Sequence, residues 1–98
     1  MPNNYRRSWI QRLTRGQVRN VQTMPIPVDV VKDFIPGELQ TLLLVDSEGG
    51  RYSCELTAVG EARFMGLGWY EYARHNNLDE DDLLFLYFND VPNVLYVQ

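Results

Sequence analysis

Short stretches of alternating apolar and polar residues recur along the chain, each bounded by turn-forming residues. From Ser8 to Leu13, Trp9 and Leu13 bracket Gln11 on one face, a loose alternation that predicts a half-buried strand. Thr14–Asn20 (TRGQVRN) is polar, contains glycine and reads as a loop before a second short strand near Val21–Ile26. Pro27 then opens a helix: proline suits a first helical turn, Asp29 complements the positive end of the helix dipole, and Val28, Val31 and Phe34 fall on one side. Pro36-Gly37 ends it.

Leu39–Val45 (LQTLLLV) is a short apolar run, and Asp46-Ser47-Glu48-Gly49-Gly50 after it is strong turn chemistry. These features predict a hairpin whose partner is Arg51–Ala58, with Tyr52, Cys54 and Leu56 facing inward and Arg51, Ser53 and Glu55 outward. Cys54 is therefore expected to be an inert core thiol. A second glycine-containing loop, Val59–Ala62, leads to Phe64-Met65 and then Gly66-Leu67-Gly68. Those glycines lack the third glycine and the strand-to-helix context of a nucleotide loop. Trp69–Asn76 places Trp69, Tyr72, Ala73 and Asn76 at helical spacing, with Asn77 as a left-handed terminator. The acidic turn Asp79–Asp82 precedes a strongly apolar strand, Leu83–Phe88, and Val94–Val97 is a last strand. About seven short strands and two short helices point to a barrel or sandwich and not to a parallel sheet.

Composition narrows the function. The 98 residues are 45% hydrophobic and 12% aromatic, enough for one core, and a single domain over residues 1–98 is expected. No stretch is apolar enough to span a bilayer or to resemble a signal peptide, so a soluble intracellular chain is expected. One cysteine and one histidine, Cys54 and His75, make neither an internal disulfide nor an ordinary zinc site. The four acids at 79–82 lack the alternate ligand spacing of a calcium loop and read as a solvated turn. With no paired acid and base and no nucleophile elbow, an enzyme is not expected, nor a cofactor or small-molecule substrate. The net charge of −4 conceals a division. Residues 1–23 carry five arginines and no acid, whereas residues 24–98 carry four basic and all thirteen acidic side chains, a balance of −9. A nucleic-acid surface needs local positive charge, because phosphate attraction decays over about 10 Å at ordinary salt.

The ordered set of motifs resembles the B3 family of DNA-binding domains over nearly the whole chain. It comprises Trp9 with Leu13-Thr14, a polar arm, Ile26-Pro27, a helix ending in Phe34, a Leu-rich strand with an Asp-containing turn at Leu42–Gly49, and Tyr52–Leu56. Most specific are Gly68-Trp69 with Tyr72, then Asn76-Asn77-Leu78, an acidic turn ending in Asp82, and Leu84-Phe85. The likeness is greatest to the reproductive-meristem branch of the plant family, and a similar barrel serves as the recognition domain of some bacterial restriction endonucleases. Three positions depart from the pattern: Tyr52 stands where tryptophan is usual, Asp81 where glycine is usual, and Glu61 makes the second arm sparse in positive charge. Asp81 is therefore expected in a left-handed conformation, which Asp tolerates better than most residues.

The resemblance implies a mainly β fold, a seven-stranded open β-barrel (pseudobarrel) with two short α-helices, in a nuclear transcription factor of plants. It implies double-stranded DNA as partner, gripped in the major groove by arms at Arg15–Thr23 and Ala58–Phe64, with other transcription factors as further partners. Arg15 and Arg19 are then candidates for phosphate or guanine, since a guanidinium fork engages two acceptors at once. Gln17, Asn20 and Gln22 are candidate adenine readers, Arg63 carries the second arm beside Gly60, and Arg7 or Arg12 clamps the backbone. Arg51 and Arg74 are expected to lie outside the arms. Each assignment has an ordinary counterpart: Arg7 and Arg12 also suit a solvated strand face, the amides suit plain loop polarity, and Trp69 and Tyr72 suit the core better than base stacking. The rival reading of the whole is a B3-like barrel that has lost DNA binding and acts as a protein-interaction or dimerisation module.

Overall fold

A computed structural model describes residues 8–19, 23–88 and 93–98. In chain order the elements are β1 (Ser8–Arg12), α1 (Arg15–Val18), β2 (Met24–Ile26), α2 (Val28–Phe34), β3 (Thr41–Asp46), β4 (Arg51–Val59), β5 (Ala62–Met65), α3 (Leu67–His75), β6 (Leu83–Phe88) and β7 (Val94–Val97). The seven strands form one mixed sheet in the order β1-β6-β7-β3-β4-β5-β2, an open barrel whose two edge strands are β1 and β2. All pairings are antiparallel except β3 with β7, which runs parallel and sets Leu44 beside Leu95. The expectation of a barrel of seven strands is met. A third helix, α1, replaces part of the predicted loop, and one strand pair is parallel.

Strict alternation supplies the core. Leu84, Leu86 and Phe88 of β6, Leu95 and Val97 of β7, Leu42 and Leu44 of β3 and Cys54 of β4 all point inward and are buried. The β3–β4 hairpin turns where predicted. Asp46 Oδ1 accepts from the backbone N–H of Glu48 at 2.9 Å and of Gly50 at 2.7 Å, and Gly49 sits at φ +88°, where a side chain would be strained. Helix α2 buries Val30 and Val31, packs Phe34 against the core and is followed by buried Ile35, so Val31 and Phe34 of the predicted stripe face inward while Val28 is exposed.

Helix α3 lies flat against β4. A Cβ on Gly68 would collide with the Ser53 carbonyl, so only glycine permits this approach, and the approach sinks Trp69 completely into the core. Tyr72 and Ala73 follow on the same face. Asn77 ends the helix at φ +53°, and Asp81 adopts φ +72°, as expected for a residue standing where glycine is usual. The acidic turn closes on itself, since the Asp79 N–H donates to Asp82 Oδ2 at 2.7 Å. It also extends the β1–β6 ladder: Leu13 N–H donates to the Asp82 carbonyl and Asp81 N–H to the Leu13 carbonyl, both at 2.9 Å.

Candidate nucleic-acid interface

Residues 13–23 join β1 to β2, the two edge strands of the open sheet. The root of this first arm is rigid for a local reason. Thr14 and Gln17 form a capping box: Gln17 N–H donates to Thr14 Oγ1 at 3.2 Å, and Thr14 N–H donates to Gln17 Oε1 at 3.0 Å. A long-range bond then fixes this turn to the body, because the buried Trp69 Nε1–H donates to the Gln17 carbonyl at 3.0 Å. Arg15 and Arg19 stand exposed on either side of that anchored turn. Gln17 does not. It is 5% exposed and its amide is engaged in the cap, so it supports the arm from within and is withdrawn as an adenine reader. Sequence contained the signal, since Thr-x-x-Gln is the capping-box pattern.

The second arm is the β4–β5 hairpin. Val59 pairs with Ala62 across a two-residue turn in which Gly60 has φ +59°. Arg63 braces it: Nη1–H donates to the carbonyl of Gly60 at 3.0 Å and of Ala62 at 2.9 Å, while the buried Nε has no partner among the described residues. The arm's expected cation thus holds the shape of its own turn. Val59 and Glu61 are exposed at the tip.

Strand β2 links the arms. Met24, where the first arm ends, pairs with Met65, and Ile26 pairs with Arg63 near the second turn. Of the remaining expected residues, Arg12 is exposed on β1 opposite Leu83, whereas Arg7, Asn20 and Gln22 lie outside the described residues. Arg74 lies on α3, outside both arms. It lines the same depression as Arg19, a space of about 770 Å³ between α1, β4 and α3 that also includes Tyr70, Glu71 and Asn77. Arg51 shares a second depression with Arg74, His75 and Glu71. No local pattern announces these juxtapositions, because they arise from α3 packing on β4.

Other chemistry is quiet. Burial, then the Glu71 carboxylate, pushes the Cys54 thiol up to about 12, so the neutral thiol is held in the core. Among the described residues no group of three or more His, Cys, Asp or Glu side chains is placed to hold a metal ion, and no helix is long and apolar enough to cross a membrane.

No protein-family model matches the sequence, and no curated protein does. The architecture is shared with solved structures. The chain is similar to the hypothetical Arabidopsis thaliana protein At1g16640.1, with a TM-score of 0.77 and 20% identity over 93% of this chain and 86% of that one. It is similar also to an Arabidopsis FUS3–DNA complex, with a TM-score of 0.68 and 13% identity over 92% of each chain. At such identities the likeness is one of fold, and that fold is the open barrel that the resemblance to B3 domains implies.

Proposed function

We propose that this chain is a B3-type domain that binds double-stranded DNA through its two arms in the major groove, within a transcription regulator of the plant nucleus. The placement of the arms at the two ends of the β2–β5 ladder carries this reading. From Met65 along β5 to Gly60 in its turn is five residues, about 17 Å at the usual rise per strand residue, a separation on the scale of a groove about 12 Å wide. Similarity of fold to a protein solved with DNA supports it. Arg15 and Arg19 take phosphate or guanine, Asn20 and Gln22 read adenine, and Arg7 and Arg12 clamp the backbone. Arg63 and Gly60 shape the second arm.

Affinity for a labelled duplex is expected to fall with salt at a log–log slope of about −3 to −5, as for roughly four phosphates. Replacing Arg15 and Arg19 together by Ala is expected to weaken binding far more than Lys32→Ala on α2. A flat salt dependence, or equal effects, refutes the reading. One feature favours a protein-binding barrel instead: Ile10 and Leu83 stand 68% and 58% exposed on the outer face of β1–β6. Amide shifts confined to that face when a partner protein is added, with silence on adding duplex, would select it.

A further inference from the structure

We infer that the DNA interface does not stop at the arms but continues as a phosphate-binding track, Arg19–Arg74–Arg51, across α3 to the start of β4. The inference rests on the proposed DNA-binding reading and extends it to residues outside both arms. Residues 24–98 hold only four basic side chains against thirteen acids. Two of those four, Arg51 and Arg74, meet in one depression, and Arg74 meets Arg19 in the adjoining one. Arg19, Arg74 and Arg51, from three separate stretches of the chain, therefore line two depressions that share Arg74, one of them beside the first arm. Among the described residues no carboxylate is in ion-pair contact with any of them.

Arg74 and His75 in the last turn of α3 also complement the helix dipole. That role leaves Arg51 unexplained, because it belongs to β4. A planar fork with open donors, repeated along a surface groove, suits the phosphodiester backbone of duplex DNA flanking the site gripped by the arms. Glu71 lines both depressions and opposes the track. Its position gives the proposal a signed consequence: removing that charge strengthens binding.

The test uses the full chain and a labelled mixed-sequence duplex, titrated by fluorescence anisotropy between about 50 and 200 mM salt. Arg51→Ala with Arg74→Ala is expected to make the log–log slope shallower by about 1.8, or about 0.9 per phosphate lost, and to weaken binding about equally for different sequences. Arg51→Lys with Arg74→Lys is expected to keep the slope, and Glu71→Gln to tighten binding several-fold at the low-salt end. If the Ala pair fails to fold by circular dichroism, Glu71→Gln decides alone, and unchanged affinity overturns the track. Wild-type slope and affinity in the folded Ala pair, with binding still dependent on Arg15 and Arg19, overturns the track and leaves the arms standing. Absence of salt-dependent binding by the unaltered chain overturns both.

Discussion

Cys54 shows how one position is fixed by its surroundings. It faces inward on β4, is fully buried and keeps its proton because burial, aided by Glu71, raises the thiol from its ordinary 9.0 to about 12. Tyr72 behaves alike, pushed up to about 12 from 10.0 by burial, then Asp46 and Tyr52. The unfolded chain loses these protons first. The stability these two groups contribute is thus fully present below about pH 9 and is lost as pH rises toward 12. Thermal melts between those limits should show the melting temperature falling, and Cys54→Ala should flatten the fall; an unchanged slope in the variant would show the thiol plays no part. At this scale much was legible. Alternation placed Cys54 inward, and the resemblance singled out Asp81 for a left-handed backbone. Gln17 was misread because a polar residue in an arginine-rich segment looks solvent-facing until its cap is considered.

Helix α3 does for the first arm what no residue of that arm does for itself. Gly68 lets the helix press on β4, the pressed helix buries Trp69, and Trp69 Nε1–H reaches the Gln17 carbonyl of α1. Trp69→Phe removes the donor while keeping an aromatic ring, and leaves a buried acceptor, an effect of about 1–3 kcal/mol before any cavity is counted. Hydrogen exchange at the Val18 and Arg19 amides, bonded to the Thr14 and Arg15 carbonyls, should accelerate more than at β3. Equal acceleration throughout would mean the bond merely stabilises the body. The Gly-Trp pair was visible in the sequence, but not its partner, because a bond spanning 52 positions leaves no local trace. The parallel β3–β7 pairing escaped for the same reason: each strand is legible alone, while its neighbour is decided by the whole sheet.

For the whole molecule, charges divided along the chain are less divided in space. Backbone bonds between Leu13 and Asp81–Asp82 set the exposed acidic turn beside the root of the basic arm, within the range of unscreened attraction and repulsion. Glu80→Gln with Asp81→Asn removes two carboxylates, and Asn tolerates the left-handed backbone at 81. Duplex affinity should rise several-fold at low salt and the gain should vanish near 1 M, where screening acts within about 3 Å. A gain that persists at high salt would point to a conformational cause.

The sheet order has a consequence for how the chain acquires its shape. β7 comes last along the sequence yet lies between β6 and β3, joining the β1–β6 pair to the hairpin beyond. Until it docks, β6 and β3 each offer an open hydrogen-bonding edge, and the two halves of the barrel have no ladder between them. Assembly of the sheet therefore depends on contacts distant in sequence, so a nascent chain on the ribosome stays vulnerable to aggregation until β7 emerges.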